Sequence, residues 1–135
     1  IAILYALSEK HLNKLLKMVN ANTADVNFKN SMEFTILIID LLTIYLNEHK
    51  GSAIMFLSND LPTKLEITLH SNTLFSSEML NKINQKVSNV DNERVNNNFS
   101  IIFALLSQGY QKEGTISPRV VNETKKASLA YLSAY

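Results

Sequence analysis

The segment from Phe34 to Leu46 restricts the possible folds of this chain most strongly. It is 13 residues long and carries apolar side chains at almost every position. A helix that is apolar nearly all round has to be covered on several sides. We therefore predict a central core helix over residues 32–49. Asp40 interrupts the apolar run, which is also too short to span a lipid bilayer.

Residues that favour helix ends flank this segment on both sides. Asn30 or Ser31 stands where an N-cap is expected, and Glu33 would lie in the first turn, where an acidic side chain is favoured. Gly51 follows the segment in the position that commonly terminates a helix. The sequence therefore predicts where the core helix begins and ends.

Composition excludes several function classes. With 135 residues, the chain suits one domain, and its net charge of +1 gives no reason to expect a nucleic-acid partner. It has three glycines, which are not clustered, and no cysteine. Glycine-rich phosphate loops, disulfides and zinc-thiolate sites are therefore excluded. With three scattered histidines we expect no metal site and no cofactor, and the absence of cysteine suits a cytoplasmic protein without a membrane span.

The rest of the chain reads as a mixture of helices and strands. Apolar residues spaced three to five apart predict an amphipathic helix over residues 2–21. Two further helices are predicted over residues 78–87 and 99–111, with a polar loop at 88–98 between them. Strands are predicted at residues 24–28, 52–58, 64–70, 115–122 and 127–132. In these segments apolar and polar side chains alternate, or the apolar run is continuous and of strand length. This order predicts an α/β (α+β) two-layer sandwich, in which a mixed sheet carries helices on one face.

The element order resembles the second half of a two-component histidine kinase, a dimerisation helix followed by a Bergerat-type, GHKL-like ATP-binding domain. Gly51 and Gly114-Thr115-Ile116 stand where that family ends its core helix and enters its last hairpin. The stretch His70–Phe75, followed by Glu78, takes the place of the adenine-binding turn, and Val95–Phe99 takes the place of the glycine-rich lid. Neither stretch keeps the aspartate or glycines of the family, and the family's core-helix asparagine is absent.

These losses make the chain similar to the ChpT-type histidine phosphotransferases, which keep a degenerate kinase-like domain. The resemblance implies that residues 1–23 are the second helix of a helical-hairpin dimerisation region and that 24–135 are the degenerate ATPase domain. It also implies a homodimer that passes a phosphoryl group in a phosphorelay, without kinase or ATPase activity. The implied partners are a hybrid histidine kinase and a response-regulator receiver domain.

The phosphoacceptor histidine of this family precedes the helix with which the chain starts. We therefore expect it upstream of Ile1, and His11 is the fallback within the chain. Lys10, Lys14 and Lys17 recur at helical spacing and form a candidate surface for an acidic receiver domain. His49 and His70 are expected to be structural.

Two alternatives to a phosphotransferase follow from the same residues. The first keeps the fold and drops the chemistry, which leaves a dimerising adaptor. The second is an all-helical interaction protein, because the stretch from Asn98 to Leu106 resembles the groove helix of apoptosis-regulating bundles. The strand patterns at 52–58 and 64–70 favour the sheet over this alternative, and circular dichroism distinguishes the two.

Overall fold

Six helices make up most of the described chain. The computed structural model describes the backbone of residues 2–57 and 62–134, and the side chains of residues 2–57 and 66–134. The helices are α1 (Ala2–Thr23), α2 (Ser31–Glu48), α3 (Lys50–Leu57), α4 (Pro62–Lys86), α5 (Asn92–Glu113) and α6 (Pro118–Ser133). No strand occurs in these described ranges. The predicted α/β sandwich with a mixed sheet, and with it the Bergerat-type fold, is therefore wrong, and the protein is all-helical.

The predicted core helix is confirmed as α2, which lies between α1, α3 and α6. Its most buried side chains have essentially no exposed surface, and they include Phe34, Ile38, Ile39 and Leu42. Each such side chain contributes roughly 1.5–3 kcal/mol to the free energy of unfolding when it leaves water. The coverage of α2 on several sides therefore organises the rest of the bundle.

Helix ends follow the capping residues of the sequence in most places. The Asn30 side chain accepts a hydrogen bond from the Glu33 N–H at 3.0 Å, as predicted. Asp91 caps α5 in the same manner, and Gly114 ends α5 with φ of 71° in the left-handed region that favours glycine. The prediction for Gly51 is wrong, because α2 ends at Glu48 and Gly51 lies inside α3.

The two strands predicted at 52–58 and 64–70, which would form a first hairpin, lie in α3 and α4 instead. Ser58 and the predicted turn at 59–61 are outside the described residues. The buried residues of α4 follow a helical period of four, through Ile67, Ser71, Phe75, Met79 and Ile83. Ser71 interrupts the apolar pattern in the third turn of α4, where its hydroxyl bonds to the Ser8 hydroxyl of α1. This polar core position separates the apolar stripe into an apparent strand and an apparent short helix.

The predicted last hairpin at 115–122 and 127–132 is α6, preceded by a short connection from Gly114. The buried face of α6 consists of Val120, Thr124 and Ser128, which are small and mostly polar. Because such residues contribute little hydrophobic signal, the helical period is hidden in the sequence.

Two other local predictions, for residues 24–28 and 88–98, also differ from the structure. Residues 24–28, predicted as an edge strand, connect α1 to α2 without strand structure. The predicted polar loop 88–98 shortens, because α5 already begins at Asn92. Asn98 belongs to the core, where its side chain donates to the Ser128 hydroxyl at 2.8 Å. An asparagine-rich segment therefore forms the first turns of α5, with Val95 and Asn98 buried and Asn96 and Asn97 exposed.

The helices α5 and α6 pack unusually closely at Gly109. A Cβ atom added to Gly109 would lie 2.6 Å and 2.7 Å from the two methyl carbons of Val120. Such distances are well inside van der Waals contact, so only glycine fits there without movement of α6. Gly109 is also fully inside a helix, where glycine normally lowers stability relative to alanine.

We expect Gly109→Ala to lower the free energy of unfolding by about 1–3 kcal/mol, because overpacking outweighs the gain in helix propensity. The matched control is Gly51→Ala, since a Cβ atom added there would lie 4.0 Å from His11 Nε2, which is ordinary van der Waals contact. That variant should gain roughly 0.5–1 kcal/mol. Urea denaturation followed by circular dichroism measures both, and equal effects of the two substitutions would contradict the close-packing account.

Candidate functional site

A groove lies between α4 and α5, with one end bounded by α3. Its volume is about 310 Å³. Thr68, Asn72 and Ser76 line it from α4 at a spacing of four residues, which places them on one face of that helix. The opposite wall comes from α5 and includes Ser100 and Ala104. Two helices thus present small side chains to each other across an open channel.

Aromatic side chains form the base of this groove. Phe56 of α3 and Phe103 of α5 both line it, and their rings stack in parallel with centroids 6.4 Å apart. Behind them, Phe75 of α4 packs edge-on against Phe103 at 5.8 Å and against Phe99 at 6.0 Å. These contacts join α3, α4 and α5 in the core, so the groove rests on a rigid support.

The walls of the groove are polar but uncharged. Among the described residues that line it, none has an ionisable side chain, while most carry a hydroxyl or an amide. Asn72 is notable because its Oδ1 atom is buried without a hydrogen-bond partner among the described residues. A buried acceptor that lacks a partner costs free energy, roughly 1–3 kcal/mol. Leu69 adds apolar surface at the rim, with 59% of it exposed.

A shallower depression continues the groove along α5. It shares Ala104 and Ser107 with the groove and ends at Lys112. The Ser107 hydroxyl and the Gln111 amide both donate to the Leu57 carbonyl, which ties the end of α3 to α5. The combined channel follows α5 from Asn96 to Lys112, about 24 Å at 1.5 Å per residue.

Sequence reasoning missed this groove because it placed Thr68 in a strand and Asn72 in a turn. The spacing of Thr68, Asn72 and Ser76 is a helical signal that the sequence contains. It becomes visible only when α4 is read as one helix from Pro62 to Lys86.

The histidine that was the fallback phosphoacceptor, His11, lies instead in an aromatic cluster at the junction of α1 with α2 and α3. Its Nδ1 atom lies 2.9 Å from the hydroxyl oxygen of Tyr45. The Tyr45 ring stacks on His49 with centroids 4.1 Å apart, and the His11 and His49 rings are 6.3 Å apart. His70 lies elsewhere, edge-on against Tyr5 at 5.0 Å.

The predicted lysine surface is formed, with Lys10, Lys14 and Lys17 all exposed on α1. Its role in partner binding stays a prediction. The predicted dimer through α1 also stays a prediction. Most of the apolar stripe of α1 packs against other helices of the same chain. Leu12 and Leu15 of that stripe are buried in the core, whereas Ile3 near the start of α1 is 76% exposed.

Comparisons with protein-family models, with curated proteins and with solved structures gave no match. The helices of the described part include none with both the length and the hydrophobicity to cross a bilayer. Within the same ranges, no three side chains of the metal-binding types cluster together.

The environment of His11 opposes its protonation. Burial, followed by the positive charges of His49, Lys14 and Lys10, lowers the pKa of His11 below the ordinary value of 6.5. Burial also raises the pKa of the Tyr45 hydroxyl, which keeps the phenol protonated at neutral pH. Neutral His11 against neutral Tyr45 is thus the favoured state of the folded protein.

We expect the protein to lose stability as the pH falls below 6.5. The unfolded chain then binds a proton at His11 that the folded chain resists, so the free energy of unfolding decreases with acidification. His11→Gln should reduce this pH dependence, whereas His70→Gln should keep the contribution of His11. Urea denaturation between pH 7.5 and pH 5.5 in metal-free buffer measures the effect, and equal slopes for wild type and His11→Gln would refute it.

Proposed function

We propose that this protein is a helical interaction domain whose α4–α5 groove receives a helical segment of a partner protein. The observation that carries the proposal is the open channel along α5, based on Phe56 and Phe103 and bounded by two helices. Recognition of a helix by a groove between helices is a recurrent mode of protein binding. The all-helical fold supports this alternative better than the phosphotransferase prediction.

The dimensions of the channel suit a helix of modest length. The part of the channel that α4 and α5 both line follows α5 from Asn96 to Ser107, about 16.5 Å at 1.5 Å per residue, and accommodates roughly three turns of an α-helix. Ser100 and Ala104 have small side chains, so the backbone of a partner helix can approach α5 closely. The apolar side chains of the partner would contact mainly the exposed Leu69 and the small exposed edge of Phe103, while Phe56 supports Phe103 from the core.

The polar walls define what the partner segment should carry. Since the described lining of the α4–α5 groove has no charge, shape and hydrogen bonds supply the specificity rather than ion pairing. Lys112, at the far end of the channel, favours an acidic side chain there.

The phosphorelay between a hybrid histidine kinase and a receiver domain stays a prediction. It rested on an order of helices and strands that the described residues do not have. The groove, in contrast, needs neither a phosphoacceptor nor a nucleotide, and we base the proposal on it.

Ala104→Arg tests the groove, because a long charged side chain in α5 would fill the channel. Ala130→Arg on α6 is the matched control, since both alanines are exposed in helices and Ala130 is not among the groove residues. Helical peptides selected from a displayed random library against the wild-type protein serve as probes. We expect Ala104→Arg to weaken their binding about tenfold or more, equivalent to about 1.4 kcal/mol, and Ala130→Arg to leave it unchanged.

Fluorescence anisotropy with labelled peptides gives the dissociation constants, and circular dichroism checks that both variants remain helical. Selected peptides that bind Ala104→Arg as tightly as wild type would place recognition elsewhere on the surface. A library that yields no binding helix would argue against helix recognition altogether.

A further inference from the structure

The cluster formed by His11, Tyr45 and His49 has a hydrogen-bond arrangement that leaves two imidazole nitrogens available. His49 Nδ1 lies 3.1 Å from the backbone carbonyl oxygen of Tyr45. A carbonyl only accepts, so His49 Nδ1 carries the proton and donates it. In neutral His49 the lone pair is therefore on Nε2.

The hydroxyl of Tyr45 can orient His11 in the same sense. His11 Nδ1 lies 2.9 Å from that oxygen, which can accept a proton from Nδ1. In this tautomer the lone pair of His11 is likewise on Nε2. One residue, Tyr45, thus orients both rings, one through its side chain and the other through its main chain. Histidines that bind metals characteristically donate their other ring N–H to such an acceptor.

We propose that His11 and His49 form a two-imidazole site for a late first-row divalent metal ion, such as Zn²⁺ or Cu²⁺. Imidazole nitrogen is a preferred ligand of these ions, whereas Mg²⁺ prefers oxygen ligands. Water molecules complete the coordination shell. The ion joins α1 to the junction between α2 and α3.

The separation of the rings is compatible with a shared ion after a small adjustment. With metal–nitrogen bonds of about 2.0–2.1 Å in tetrahedral geometry, the two ring centroids lie roughly 5 Å apart. The observed separation is 6.3 Å, with the ring planes at 68°. Both side chains are only partly buried, so the rings have freedom to approach. Gly51 leaves space beside the His11 ring, because even an added Cβ atom would stay 4.0 Å from Nε2.

The surrounding charges have two opposing effects on such a site. Lys10 and Lys14 repel a cation, which limits its affinity. The unprotonated imidazole is the form that binds a metal. The end of α2 at His49 adds a favourable contribution, because the C-terminus of a helix carries partial negative charge.

Calorimetric titration of the chelator-treated protein with ZnCl₂ at pH 7.5 tests the proposal. We expect one saturable site per chain, tighter binding of Cu²⁺ than of Zn²⁺, and no binding of Mg²⁺. His11→Gln and His49→Asn should each weaken Zn²⁺ binding by at least about tenfold. Tyr45→Phe should weaken it by about tenfold, because it removes the acceptor that orients His11.

His70→Asn is the control, since His70 is the remaining histidine and lies apart from the cluster, against Tyr5. It should bind Zn²⁺ as wild type does. Equal weakening by His70→Asn, unchanged binding in His49→Asn, or no binding to wild type would overturn the site. If a variant loses its helical circular dichroism, imidazole nitrogen NMR of wild type decides instead. Zn²⁺ must then shift the Nε2 resonances of His11 and His49, and the ring-nitrogen resonances of His70 must stay unchanged.

Discussion

The burial of α2 is the constraint on which the other features depend. A helix with Phe34, Ile38 and Leu42 almost completely withdrawn from water requires neighbours on several sides. α1, α3 and α6 supply them, so these helices are arranged around α2 rather than beside a sheet. The C-terminal turn of α2 also supplies Tyr45, so the histidine cluster is built directly on the helix that organises the core.

How far the sequence predicts this fold depends on how hydrophobic the buried face of each helix is. The apolar surfaces of α1 and α2 are sufficient to place both helices, and Asn30 marks the start of α2, whereas Gly51 does not mark its end. Where the buried face contains Ser71 or Thr124, helical periodicity weakens and short fragments acquire the character of strands. The hydroxyls of both residues bond to the carbonyl four residues earlier, which lets a helix bury them at low cost.

Both candidate sites depend on contacts between residues that are far apart in the sequence. The groove arises from the packing of α4 against α5, and the spacing of Thr68, Asn72 and Ser76 in the sequence indicates only that these residues share one face of a helix. The histidine cluster joins positions 11 and 49 through Tyr45. Sequence analysis considered both histidines, but their proximity follows from the way α1 crosses the end of α2. In both cases, the individual residues are ordinary and the tertiary arrangement makes them notable.

The close contact between Gly109 and Val120 has a consequence for how this domain can change over evolutionary time. α5 packs closely against α6 on one side, where a residue larger than Gly109 is destabilising, while its other side presents Ser100 and Ala104 to the groove. Substitutions at the groove positions therefore leave the close contact between Gly109 and Val120 undisturbed. The bundle separates the residues that preserve its shape from those that are free to diversify, although both sets belong to a single helix.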